Sequence, residues 1–244
     1  MKIALIGHGK MGKEVENIAG GLRIEIVKVF DADNNPGGAG LTTESLKGVD
    51  VCLEFSTPAA VMDNVRAVVG CGKNLVVGTT GWQDRLDEVR KLVKEKKTGF
   101  LYAPNFALGV NIFSQIVMDA ARIMDRYGDY DVVIQEMHQR EKVDSPSGTA
   151  LALAGAVLQN LKRKSEIVTQ LAHGALQPSQ MQISSVRIGN VMPRHVVMFD
   201  SESDTIELVH TMKNRRGLAI GALVAAEWLK GKKGFYTMRD VLLA

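Results

Sequence analysis

The sequence predicts an α/β fold: an N-terminal doubly wound parallel sheet of the Rossmann type, then a second α+β domain carrying an open sheet. Three observations carry that expectation. Short Val/Ile/Leu-rich runs alternate with amphipathic runs of helical length from Lys2 to Tyr102. The pattern Gly7-x-Gly9-x-x-Gly12 closes the first apolar run and opens the first helical one. Beyond Phe106 the texture shifts to longer helices and several strand-like runs. Alternating strand and helix points to parallel strands with helices on both faces.

Lys2 to Ile6 reads as a buried strand, and the run after Gly12 as a helix to Ala19. Arg23 to Phe30 is a second strand, followed by a loop of Asp, Asn, Pro and Gly from Asp31 to Gly40. Asp50 to Phe55 is a third strand, and Pro58 to Val69 a helix with proline in its first turn. Asn74 to Val77 and Thr98 to Tyr102 are strands flanking a charged amphipathic helix, Gln83 to Lys97. Val110 to Arg126 is a long helix, Tyr130 to Ile134 a strand, and Thr149 to Lys162 another helix. Lys164 to Gln180 is polar and unpatterned, and reads as an excursion. Gln182 to Ile188, His195 to Phe199 and Thr205 to Met212 are strand-like, and Leu218 to Leu229 is a helix. The expected organisation is a dinucleotide-binding domain at 1–106, a substrate-binding and oligomerisation domain at 107–215, and a segment at 216–244.

With 45% hydrophobic and 23% charged residues, the chain is ordinary for a globular protein. A net charge of +3 without a dense basic, aromatic-rich block argues against nucleic acid. Cys52 and Cys71 form no C-x-x-C pair and no disulfide framework. Ile3 to Ile6 is too short for a signal peptide or membrane span, so a cytoplasmic protein that contacts no membrane is expected.

The glycine pattern sits where a diphosphate-cradling turn belongs, between strand and helix. Gly7, His8, Gly9, Lys10, Met11 and Gly12 are therefore candidate dinucleotide contacts. Asp31 follows Gly12 by 19 residues, at the end of the second strand, where a carboxylate can accept hydrogen bonds from a ribose diol. It also suits an ordinary turn cap. Its charge repels a 2′-phosphate and Ala32 offers no cation, although Lys28 or Lys10 is near in sequence. NADH is favoured over NADPH. Gly78-Thr79-Thr80 and Ala103-Pro104-Asn105-Phe106 follow the fourth and fifth strands, the edge on which such sheets bind ligands.

The segment from Glu136 to Ala150 is the richest in chemistry. His138 can exchange protons near neutral pH, and Lys142 supplies a compact cation. Ser145-Pro146-Ser147-Gly148-Thr149 precedes a helix, so the Gly148 and Thr149 amides lie where unpaired donors attract a carboxylate. Taken singly, each has a plain reading: polar filler, surface charge, or a helix cap by Ser147. Taken together, they suit one site for an acidic substrate. His195 and His210 fall in strand-like runs and His173 in the excursion. With no ligand spacing among them, no metal is expected.

These residues together resemble the dihydrodipicolinate reductase (4-hydroxy-tetrahydrodipicolinate reductase) family along nearly the whole chain. The most specific match is Lys142-Val143-Asp144-Ser145-Pro146-Ser147-Gly148-Thr149-Ala150. Gly78-Thr79-Thr80-Gly81-Trp82, Ala103 to Phe106, Gly109-Val110-Asn111 and the tail through Met238-Arg239-Asp240-Val241-Leu242 agree. The resemblance implies a second domain with a mixed sheet and a C-terminal segment returning to the first domain. It also implies a homotetramer built through the second domain's sheets. The implied reaction is NADH- or NADPH-dependent reduction of 4-hydroxy-tetrahydrodipicolinate, a small cyclic dicarboxylate, with loss of water, on the diaminopimelate route to lysine. His138 matches the family's acid/base, Lys142 its proton-donating lysine, and Gly148 and Thr149 its substrate-carboxylate contacts. This chain departs at Gln139, where a second histidine is usual, at Pro193, where glycine is common, and in a glycine loop one residue shorter than in many members. The chain is also short for the family. Two other readings stand beside this one: an NAD-dependent amino-acid dehydrogenase, which shares only the first half, and a catalytically silent NADH-binding sensor.

Overall fold

The computed structural model describes residues 1–170 and 174–244, so His173 lies outside the described residues. The chain divides into two units, Met1–Asn111 with Arg215–Ala244, and Ile112–Asn214. In chain order the elements begin with β1 (Lys2–Ile6), α1 (Lys10–Ala19), β2 (Glu25–Phe30), β3 (Val51–Glu54) and α2 (Val61–Gly70). Next come β4 (Asn74–Val77), α3 (Leu86–Lys96), β5 (Gly99–Tyr102) and α4 (Leu108–Met124). The second unit continues with β6 (Asp131–His138), α5 (Gly148–Asn160), β7 (Glu166–Val168), β8 (Gln180–Arg187), β9 (Arg194–Asp200) and β10 (Thr205–Thr211). The chain closes with α6 (Arg216–Leu229), β11 (Gly234–Tyr236) and α7 (Met238–Leu242).

The first unit's sheet has the order β11-β5-β4-β3-β1-β2, and every pair is parallel. Its central strands are buried along their length, which is why they read as continuous apolar runs rather than alternating ones. One face packs on α1 and α6 through Leu5, Val15, Leu53, Ala222 and Leu223. The other packs on α2 and α3 through Ile6, Cys52, Val65, Val89 and Phe100. Strand β11, which the sequence reading did not anticipate, extends the sheet beside β5.

The second unit's sheet runs β10-β9-β6-β8-β7 and is mixed. Strand β6 pairs antiparallel with β9 and parallel with β8. Its covered face packs against α4 and α5 through Phe113, Val117, Ile134, Leu153, Val197 and Phe199.

Four expectations need correction. Strand β6 continues four residues past Ile134, so His138 ends a strand rather than following one. The apolar signal stopped at Gln135, but the period-2 alternation did not: Val132, Ile134, Glu136 and His138 are all buried on one face. The excursion after Lys164 contains β7, paired parallel with β8. Helix α2 starts at Val61, because Thr57 to Ala60 form a turn whose Thr57 carbonyl accepts the Ala60 and Val61 amides. Strand β2 starts at Glu25, because Arg23 adopts a left-handed φ of 57°.

Candidate active site

In the first unit, β1 ends at Ile6 and is followed by Gly7, whose amide donates to the Phe30 carbonyl at 2.7 Å. Gly7 has φ +91°, and a Cβ there would meet the Phe55 carbonyl oxygen at 2.3 Å. A Cβ on Gly12 would meet the Gly7 carbonyl oxygen at 2.2 Å. These two positions need glycine for turn conformation and for close helix–strand packing. Helix α1 begins after Gly9 with no side-chain cap, so its first amides remain free for an anion.

A cleft of about 400 Å³ opens at this point, lined by Gly7, His8, Gly9, Asp31 and Ala32 among others. The sequence reading thus has its glycine loop and acid brought together. Lys10, Met11 and Gly12 form the helix start behind that lining, and Lys13, not anticipated, faces the cleft. His8 Nε2 pairs with Glu16 at 2.8 Å. Asp31 Oδ1 also accepts the Asp33 and Asn34 amides at 3.1 and 3.2 Å, so the turn-cap reading holds as well. The uncapped helix start and the strand-end carboxylate at this cleft fit the diphosphate and ribose of a dinucleotide.

Beneath the cleft lies a polar network that the sequence reading missed. Glu54 is fully buried and accepts from Ser56 and from Asn64 Nδ2 at 3.2 Å. Asn64 Oδ1 accepts from Asn35 Nδ2 at 2.9 Å. Burial pushes the Glu54 carboxyl above its usual range. Gly78 to Thr80 and Ala103 to Phe106 follow β4 and β5 on the same sheet edge, but they do not line this cleft. Phe55 connects the two regions. Its ring meets Phe106 edge-on at 6.0 Å, and a Cβ on Gly78 would strike it.

The second unit holds a buried cluster of ionisable groups, and strand register explains how. Along the covered face the rungs are apolar at Val132/Phe199 and at Ile134 with Ile183 and Val197. The next rung is Glu136 with Ser185 and His195, and the last pairs His138 with Arg187. One face thus changes from hydrocarbon to a buried ionisable cluster within two rungs. Glu136 is 2% exposed, His195 2% and His138 6%. The Glu136 carboxylate contacts His138 Nδ1 through Oε2 and takes Arg187 Nη2 at 2.7 Å on Oε1. The His138 and His195 rings meet edge-on with centroids 5.2 Å apart.

Burial pushes the Glu136 carboxyl up, but Arg187, Ser185 and His138 pull it further down, so it stays ionised. Burial lowers His138. The Glu136 charge opposes this, and Lys142 and Arg187 reinforce it. His195 is pushed down to about 4 by burial and then by His138. The ligand-type atoms of Glu136, His138 and His195 lie within 4.8 Å of one another. The fold therefore assembles a trio that sequence spacing did not reveal. The Arg187 guanidinium already supplies a positive charge to it.

Ser147 caps α5, its hydroxyl accepting the Ala150 amide at 3.1 Å. Gly148 and Thr149 are the first helical residues, as the cradle reading requires. Lys142 Nζ pairs with Asp144 at 2.6 Å and is partly exposed. The structure thus brings His138, Gly148, Thr149 and Lys142 to one end of this unit. It adds Glu136, Ser147, Arg187 and His195, none of which the sequence reading chose.

Comparison with known proteins decides the family. The profile described as dihydrodipicolinate reductase, N-terminus, matches residues 1–106, and that for the C-terminus matches 109–242. The chain belongs to the dihydrodipicolinate reductase family. A 4-hydroxy-tetrahydrodipicolinate reductase of Christiangramia forsetii is 39% identical, with 99% of this chain and 98% of that protein covered. One from Zymomonas mobilis is 37% identical over 99% and 97%. The dipicolinate-bound dihydrodipicolinate reductase of Paenisporosarcina sp. TG-14 superposes with a TM-score of 0.77 at 27% identity, covering 98% of each chain. The alignment with the Christiangramia protein spans 245 residues, so a chain of 244 residues is not short beside that member. No helix among the described residues is long and apolar enough to cross a membrane.

Proposed function

We propose that this member of the family reduces 4-hydroxy-tetrahydrodipicolinate to tetrahydrodipicolinate with loss of water, on the diaminopimelate route to lysine, and that NADH is its preferred reductant. The observation that carries the substrate reading is the second unit's cluster. A buried histidine ends β6 beside a capped helix whose first amides, at Gly148 and Thr149, are placed for a carboxylate. Lys142 adds the cation that a dicarboxylate needs.

When bound, the reduced nicotinamide supplies hydride. The first unit's part is to hold the diphosphate on the free α1 amides and the ribose at Asp31. Gly78 to Thr80 and Ala103 to Phe106, on the same strand ends, flank the nicotinamide. In the second unit, Gly148 and Thr149 orient the substrate carboxylate, and Lys142 neutralises it and withdraws charge from the ring. His138 or Lys142 delivers the proton that the reduced ring takes up. A positioned acid contributes roughly 10²–10⁴-fold.

Support for NADH comes from the cleft's charges. Among the described residues Lys13 is the sole lysine or arginine lining it, neither Lys28 nor Lys10 does so, and Asp31 stands beside Ala32. A 2′-phosphate would meet the Asp31 carboxylate there, with Lys13 the single cation of the lining to offset it. The homotetramer is proposed through the second unit's open sheet face. That face carries Val186 and Val209, both well exposed. A mass near four times 26.5 kDa in solution is the expected result.

The deciding assay follows loss of reduced-nicotinamide absorbance, with substrate made in situ from pyruvate and aspartate semialdehyde by the upstream synthase. Oxidation that requires the full feed and is lost in Lys142→Ala is expected, with NADH the better reductant. NADH binding without turnover would favour a sensor. Turnover of a free amino acid with NAD would favour a dehydrogenase.

A further inference from the structure

We propose that Glu136, clamped by Arg187, is the positioning residue of the acid–base site: it fixes the His138 ring through Nδ1 and ties both ends of the loop from His138 to Ser147 to a single buried carboxylate. The inference rests on the reading of His138 as the proton-transferring group and deepens it.

The contacts converge from four directions. Oε2 of Glu136 contacts His138 Nδ1, at the start of the loop. Oε1 accepts the Ser147 amide at 3.3 Å, at the loop's end. Arg187 Nη2 bonds that same Oε1 at 2.7 Å and also donates to the Asp144 carbonyl at 2.7 Å, in the loop's middle. His195 closes the ring of contacts. Its Nε2 lies 3.3 Å from the Ser147 hydroxyl, and its ring edge faces His138. Histidine, lysine-bearing loop and carboxylate cradle therefore share one anchor.

The chemistry of an ionised carboxylate sets the tautomer. The Oε2 and Nδ1 atoms are in contact without a hydrogen bond of regular geometry; across that contact an acceptor-only carboxylate favours the proton on Nδ1, which leaves Nε2 to exchange protons with substrate. A lone carboxylate buried to this extent would be costly without a partner, and the Arg187 guanidinium supplies one. The groups facing His138 are Glu136 from its own strand, Arg187 from β8, His195 from β9 and Lys142 from the loop. His210 on β10 acts on His195. Glu136 alone among these favours the charged imidazole, while Arg187 and Lys142 disfavour it. Removing Glu136 and removing Arg187 should therefore shift His138 in opposite senses. A bystander charge would also move the titration but would leave the tautomer free, so the tautomer is the readout specific to positioning.

The test uses the whole protein labelled with ¹⁵N-histidine. Five histidines give the signals, and His138→Gln assigns the one in question. The expected result for the parent is an Nδ1–H tautomer at neutral pH. In Glu136→Gln the His138 titration moves to lower pH by about one unit and the tautomer preference is lost. In Arg187→Met it moves to higher pH. Kinetics should follow: kcat for Glu136→Gln falls by about ten- to a hundredfold, part of what a general acid contributes. Its pH–rate limb shifts with the NMR titration. An Nε2–H tautomer in the parent, or shifts of the same sign in both variants, overturns the inference. If Glu136→Gln fails to fold, Arg187→Met and the parent tautomer still decide. If His138→Gln retains the parent's pH–rate limb, the acid–base reading of His138 fails instead, and the NMR result stands separately.

Discussion

The Ser147 hydroxyl lies 3.3 Å from Nε2 of His195, a residue 48 positions away, while accepting the Ala150 amide at 3.1 Å. A helix cap in α5 and a buried histidine in β9 are thereby one structure. Ser147→Ala removes the cap and leaves the His195 ring nitrogen without its partner. A loss of about 1–2 kcal/mol in stability is expected. Because Gly148 and Thr149 begin that helix, KM for the substrate should rise more than kcat falls. Urea denaturation and steady-state kinetics check both. An unchanged KM alongside the stability loss would remove the first turn of α5 from substrate binding.

His138→Gln separates chemistry from cofactor binding. The glycine loop and Asp31 belong to the first unit and His138 to the second. NADH affinity, measured by calorimetric titration, should be unchanged, while kcat falls by about a hundredfold or more. A large loss of NADH affinity in this variant would contradict the division of labour between the units.

The first unit was legible because its signals are local. Buried parallel strands read as apolar runs, and Gly7-x-Gly9-x-x-Gly12 sits at a strand–helix junction where the spacing has a physical meaning. The polar end of β6 was not legible in the same way. Glu136 is two residues from His138 and hence on its face, but its polarity looked like the end of a strand. His195 and Arg187 reach the cluster only through ladders across β9 and β8, and a single sequence does not reveal register. The alternation Val132, Ile134, Glu136, His138 was the available clue.

The His195 shift makes a prediction about stability and pH. Its folded value is about 4, against an ordinary 6.5. Between those values the unfolded chain binds a proton that the folded protein does not, so stability falls as pH drops through that window. At about 1.4 kcal/mol per unit the contribution is at most about 3 kcal/mol, complete only below pH 4. The depressed Glu136 carboxyl adds a loss in the same direction at lower pH. Urea midpoints at pH 7, 5.5 and 4.5 should fall in the parent and fall less steeply in His195→Gln. Equal slopes in the two proteins would mean that His195 ionises freely in the fold.

The cofactor preference can be reversed at Asp31 and Ala32 if the cleft's charge sets it. Reversing the charge from Asp31 to a cation changes the interaction with a 2′-phosphate by up to about 4 kcal/mol per unit charge at 4 Å, before salt screening reduces it. Even a third of that is about a tenfold change in discrimination. The double variant Asp31→Ser, Ala32→Arg should therefore raise the ratio of kcat/KM for NADPH over NADH by about tenfold or more, and the gain should shrink with added salt. Asp31 Oδ1 also caps its own turn, and serine retains an acceptor there, so the loop should hold its shape. If the parent already prefers NADPH, Lys13 or a cation outside the cleft lining must reach the phosphate, and the charge argument for NADH fails at its first step.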